Sequence, residues 1–103
     1  MHATIRRYDG LDRNRIVELT DKVNASLVPK LRKLDGFQGY YLIEADNGVM
    51  SELGLFETSQ QADESSKLAA SWMRDEKLET SFPNPPKITS GRVVTHQSRV
   101  PVA

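Results

Sequence analysis

Cysteine is absent from the 103 residues. Its absence excludes disulfides, thiolate metal ligands and a cysteine nucleophile. It also fits a reducing compartment, so a cytoplasmic location is expected. No apolar run approaches the roughly 20 residues that cross a bilayer, and the alternating start Met1–Gly10 has no signal-peptide core. Membrane association is therefore not expected. Charge of one sign is not in excess either: 14 Lys and Arg balance 14 Asp and Glu. A general nucleic-acid binder needs a basic surplus to displace counterions, and none is present. The GxGxxG, P-loop, HExxH and GxSxG patterns are all missing.

What is present reads as one small α+β domain over residues 1–96, with 97–103 as a flexible tail. His2 to Tyr8 alternates as a strand, with Ala3 and Ile5 on one side and Thr4, Arg6 and Tyr8 on the other. Asp12 is placed to cap a helix. Ile16, Leu19, Val23, Leu27, Leu31 and Leu34 then recur at helical spacing, the strongest periodic signal in the chain. Pro29 interrupts this stripe and should kink the helix or tighten its last turns. Asp35-Gly36 offers a left-handed exit.

Phe37 to Glu44 reads as a second strand. Asn47-Gly48 is a tight-hairpin signal, and Val49 to Phe56 is the return arm. Thr58, with Gln61 three residues on, forms a capping box. It opens a helix whose inner face is predicted as Ala62, Ser66, Ala69, Trp72 and Met73, and which ends before Pro83. Lys87 to His96 is a fourth strand with Gly91 at a possible bulge. The order strand, helix, strand, strand, helix, strand predicts a ferredoxin-like βαββαβ fold. It is a four-stranded antiparallel sheet with both helices on one face. The other face keeps Tyr, Leu, Met and Phe side chains that a second copy would cover, so a homodimer through the open sheet face is expected.

Four stretches carry a family resemblance: Met1–Tyr8, Leu34–Tyr41, Leu55–Thr58 and Ala62–Ser66. With them the chain resembles a dimeric α+β barrel protein of the antibiotic-biosynthesis-monooxygenase type over roughly residues 1–96. The resemblance implies that fold and a superfamily of cofactor-free oxygenases, haem-degrading enzymes, isomerases and proteins without known activity. Haem-degrading members use an Asn on the first strand and a Trp and a His on the second helix. Here Arg6, Ser65 and Asp75 stand at those places, so productive haem binding is not expected.

The ligand-binding candidates are Arg6, Tyr8, Tyr40 and Trp72. Arg6 lies mid-strand between two covered faces, where a guanidinium needs an anionic or carbonyl partner. That partner is a ligand's carboxylate, phenolate or enolate, or else an internal Glu52 or Glu57, the commoner arrangement. The tyrosines are hydrogen-bond donors to a quinone or phenol, or core fillers with wet hydroxyls. Alternation sends Tyr40 and Tyr41 to opposite faces. Trp72 is a lid over an aromatic ligand or, more simply, a plug beside small residues. His2 and His96, ending neighbouring strands, make a poor metal pair without a carboxylate, so no metal is expected. Asp63-Glu64 favours a helix dipole and needs no catalytic role.

The leading function is a small-molecule-binding dimeric barrel. Its activity would be cofactor-independent oxygenation of a phenol- or quinone-like aromatic, with no metal or flavin. The alternative is a non-catalytic binding or stress-associated protein on the same scaffold.

Overall fold

The computed structural model describes residues 1–78, 82 and 84–99. The second helix, expected to end before Pro83, ends at Asp75, and the tail beyond Arg99 lies outside the described residues. Strand β1 (His2–Tyr8) leads into a short 3-10 turn (Arg13–Arg15) and then a continuous helical rod. The rod comprises α1 (Ile16–Lys22), a π turn (Val23–Leu27) and α2 (Val28–Arg32). Strands β2 (Phe37–Ala45) and β3 (Val49–Phe56) form the hairpin, helix α3 (Ser59–Asp75) follows, and β4 (Lys87–Arg92) closes the sheet. All pairings are antiparallel, in the order β2-β3-β1-β4. This is the ferredoxin-like α+β fold expected.

Local chemistry explains most boundaries. The Asp12 carboxylate accepts from Asn14 N–H at 3.0 Å and opens the helical rod. Asn47 and Gly48 both have positive φ, 64° and 72°, as a tight primed hairpin turn requires. Gly48 is also pinned, since its carbonyl accepts from Leu11 N–H at 3.0 Å. Thr58 and Gln61 exchange hydrogen bonds in a complete capping box at the start of α3.

Three details add to or differ from the sequence reading. The rod's last turn tightens after Pro29, as expected, with Lys33 N–H donating to Lys30 C=O at 3.3 Å and Leu34 N–H to Leu31 C=O at 3.1 Å. In addition the turn before Pro29 widens, with Val28 N–H donating to Val23 C=O five residues back. The wider turn lets the rod continue past a residue that has no donor of its own. Strand β4 ends at Arg92 rather than His96, and its register with β1 is unbroken at Gly91. The irregularity falls instead between Phe37 and Gly39 at the start of β2.

The helices cover one sheet face. Between them lie Leu19, Val23, Leu27, Leu31, Met50, Phe56, Ala69 and Trp72, all buried. Each large apolar side chain withdrawn there contributes roughly 1.5–3 kcal/mol. The open face carries Ala3, Ile5, Tyr41, Ile43, Leu53 and Leu55, aligned by the register Tyr41–Leu53–Ile5 and Gly39–Leu55–Ala3. Met50 and Phe56, two types expected on that face, turn to the helices. Tyr41 and Ile43 are more than half exposed. No helix among the described residues is long and apolar enough to cross a membrane.

Candidate functional site

On the helix-facing side of the sheet, β1 presents Thr4, Arg6 and Tyr8, and β3 presents Met50, Glu52, Gly54 and Phe56. All of these are buried. Two are charged, and the register sets them opposite each other. Arg6 Nε donates to Glu52 Oε2 at 2.7 Å, and Arg6 Nη1 donates to Ser66 Oγ on α3 at 2.9 Å.

Two tyrosines complete the cluster from diagonal positions. Tyr40, on β2, lies opposite Gly54, two residues from Glu52. A diagonal neighbour is within reach of an aromatic side chain, and the Tyr40 hydroxyl donates to Glu52 Oε1 at 2.7 Å. Tyr8 lies opposite Met50, and its hydroxyl makes a longer bond of 3.4 Å to Glu52 Oε2. Thus three of the four ligand-binding candidates, Arg6, Tyr8 and Tyr40, converge on one buried carboxylate. Burial, with the Glu52 charge adding, pushes both phenols far above their ordinary range. Arg6 opposes the shift only in part. Both tyrosines therefore stay protonated and act as donors.

Trp72 is brought to a different place. It is buried, and its indole N–H donates to Ser26 Oγ in the π turn at 2.9 Å. It fills the interior between α3 and the rod. The gap it shares with Tyr8, Leu42, Met50, Glu52 and Phe82 leaves only about 10 Å³ for the centre of a water molecule. Larger hollows flank that waist. A cleft of about 270 Å³ runs between α3 and β4, lined by Arg6, Tyr8, Ser66, Ala69, Met73 and Ile88 among others. A groove of about 540 Å³ runs between the rod and β2 and includes Tyr40. Glu52 sits between the two.

Glu52 is the residue that sequence reasoning undervalued, treating it only as one of two partners for Arg6. Its signal was a carboxylate at an inward position of β3, between Met50 and Gly54 on an otherwise apolar face. Glu57, the other partner considered, is exposed. The histidines fall on separate sides of the sheet. His2 meets Ser90 Oγ at 3.2 Å, while His96 lines a hollow with the open-face residues Tyr41 and Leu55. Among the described residues no three His, Cys, Asp or Glu side chains gather as a metal site would need. Ser65 is buried and donates to the Ala62 carbonyl at 2.6 Å, and Asp75 is exposed at the end of α3.

No family model matches the sequence, and no curated protein matches it. Solved structures do match. A dimeric ferredoxin-like protein from an uncultured marine organism superposes with a TM-score of 0.71 at 13% identity, covering 96% of this chain and 92% of that one. The monooxygenase from the gene ActVA-Orf6 of Streptomyces coelicolor, solved in complex with Nanaomycin D, gives 0.69 at 13% identity, covering 97% and 91%. An antibiotic biosynthesis monooxygenase gives 0.65 at 12% identity, covering 92% and 100%. On this evidence the chain has the ferredoxin-like α+β fold of the antibiotic-biosynthesis-monooxygenase type.

Proposed function

We propose that the protein binds a small aromatic molecule in the cleft between α3 and β4 and acts on it as a cofactor-independent monooxygenase. The observation that carries this reading is the buried Arg6, whose guanidinium lines an otherwise largely apolar cleft of aromatic size. Glu52 and Ser66 take Nε and Nη1. Among the described residues Nη2 has no hydrogen-bond partner. It is the donor left for a ligand's phenolate or enolate.

In such a reaction a ring CH2 group and dioxygen give a ring carbonyl and water. The substrate first loses a proton, and its carbanion–enolate form reacts with oxygen. The chain's part is to keep water out and to stabilise that anion. A donor aimed at developing charge in a dry site contributes most of such stabilisation. Arg6 supplies the donor, Tyr8 lines the cleft beside it, Tyr40 holds Glu52 from the far side, and Ala69, Met73 and Ile88 form the apolar wall. The fold shared with a monooxygenase solved in complex with Nanaomycin D supports the choice of a small-molecule ligand.

A second reading has an observation of its own. Glu52 already neutralises Arg6 inside the protein, which suits a binding protein that performs no chemistry. Dioxygen uptake separates the two. Phenols and quinones are titrated against Trp72 fluorescence, and the binders are then assayed in an oxygen electrode. Binding with stoichiometric oxygen consumption supports the enzyme. Binding without consumption leaves the non-catalytic reading, and an absence of binders across the panel removes both.

The working unit in this proposal is a homodimer joined through the open sheet face, with cytoplasmic residence. Exposed Ile5, Tyr41 and Ile43 form an apolar surface of the kind that marks an interface, and the marine neighbour is described as dimeric.

A further inference from the structure

The groove between the helical rod and the edge strand β2 lies outside the cleft assigned above. Val28, Leu42 and Met50 form its apolar walls, Phe37 and Tyr40 supply two aromatic rings, and Glu44 adds a carboxylate. Glu44 is exposed and has no ion-pair or hydrogen-bond partner among the described residues. No Lys, Arg or His lines the groove among those residues.

The polarity of Tyr40 is fixed by its neighbour. Its hydroxyl proton goes to Glu52 at 2.7 Å, so its oxygen can only accept from any further group. Thr20 is similarly committed, donating to the Ile16 carbonyl at 2.8 Å. Among the side chains of the described residues, the groove therefore offers two aromatic rings, the Tyr40 oxygen as an acceptor and an uncompensated carboxylate, with Asn24 the one side chain free to donate. Aromatic faces attract ammonium groups, and the attraction strengthens as water is displaced. An anion would meet the negative ring faces and Glu44 without a counter-charge.

We propose that this groove is a binding site for a small organic ammonium ion with an apolar body, an alkyl- or arylammonium. Its charged end lies against Phe37, Tyr40 and Glu44, and its hydrocarbon end against Val28, Leu42 and Met50. This assignment does not depend on the oxygenase reading, since it uses the opposite ligand charge and the other side of Glu52.

Three probes of one size and different charge test it on the full chain: phenethylammonium, phenethyl alcohol and phenylacetate. Binding is followed by calorimetry and by the amide signals of Asn24 and Gly39. The expected order is ammonium first, alcohol weaker and carboxylate absent, with the ammonium weakened by added salt. Glu44→Gln, at an exposed position that leaves the core untouched, is expected to weaken the ammonium about threefold to tenfold. Tyr40→Phe keeps a ring but removes the acceptor, and it should weaken the ammonium as well. Phenylacetate binding as tightly as phenethylammonium would overturn the assignment. So would an unchanged affinity in Glu44→Gln, or no ammonium binding at millimolar concentration.

Discussion

Arg6 and Glu52 face each other across the β1–β3 ladder, with Arg6 Nε 2.7 Å from Glu52 Oε2 and side chains only 4% and 8% exposed. A buried pair of this kind offers little net stability against an apolar replacement, yet breaking it by removing one partner is expensive. Arg6→Met is expected to lower stability by about 3–5 kcal/mol, because Glu52 keeps its charge and loses its cation. The double variant Arg6→Met/Glu52→Leu should recover part of that loss. Recovery stays incomplete because the Tyr8 and Tyr40 hydroxyls lose their acceptor. Denaturant unfolding of the four proteins in the cycle measures the coupling. Additive single effects, each under about 1 kcal/mol, would show that the pair is not coupled as described.

The two raised tyrosines give the protein an alkaline limit. An unfolded tyrosine ionises near pH 10, whereas burial and the Glu52 charge keep Tyr8 and Tyr40 protonated well above that. Below about pH 10 both states hold these protons and the tyrosines impose no slope. Above it the unfolded chain releases protons that the native chain retains. Stability then falls by up to about 1.4 kcal/mol per pH unit for each tyrosine. Unfolding midpoints between about pH 10 and 11.5 should therefore drop steeply, and Tyr8→Phe or Tyr40→Phe should each flatten the decline. An identical slope in the double Phe variant would contradict the assignment.

Much of this arrangement was legible in residue order. The stripe from Ile16 to Leu34, the Asn47-Gly48 turn and the Thr58/Gln61 capping box specify their elements locally, and each appears where its chemistry places it. The response to Pro29 was legible only in part: the tightened last turn follows from the missing donor, whereas the widened turn at Val23–Leu27 ahead of it has no signal in residue order. The convergence on Glu52 needed the register of three strands. Alternation places Arg6 and Glu52 on inward faces, but sequence does not pair those faces. The role of Gly54, which leaves the place opposite Tyr40 without a side chain, is a cross-strand fact.

Trp72 makes a sharper case for structure over ligand contact. Its N–H is satisfied by Ser26, and its ring fills the space beside Ala69. Ser26→Ala should cost about 1–3 kcal/mol through the unsatisfied indole donor. Trp72→Ala should cost about 3–5 kcal/mol through the cavity it leaves. Thermal melts of both variants check this. A Trp72→Ala protein as stable as the parent would mean that the ring is dispensable packing and free to serve a ligand.

The open sheet face yields the last prediction. Leu53 lies at the middle of the row Tyr41–Leu53–Ile5, so a second copy seated there would cover it. In a two-fold interface one substitution is introduced twice. Leu53→Glu would bury two like charges in that interface with no basic residue in the row. Like charges desolvated together cost several kcal/mol, enough to weaken association by at least about a hundredfold. The parent chain should therefore scatter light with twice the 11.6 kDa mass of one chain. Leu53→Glu should scatter as a single chain with an unchanged far-ultraviolet spectrum, because the helix-facing core does not include this side chain. Arg7→Ala, on the same face but at its charged margin, should leave the mass unchanged. A monomeric parent chain, or a Leu53→Glu protein that remains a dimer, would place the apolar face outside any such contact.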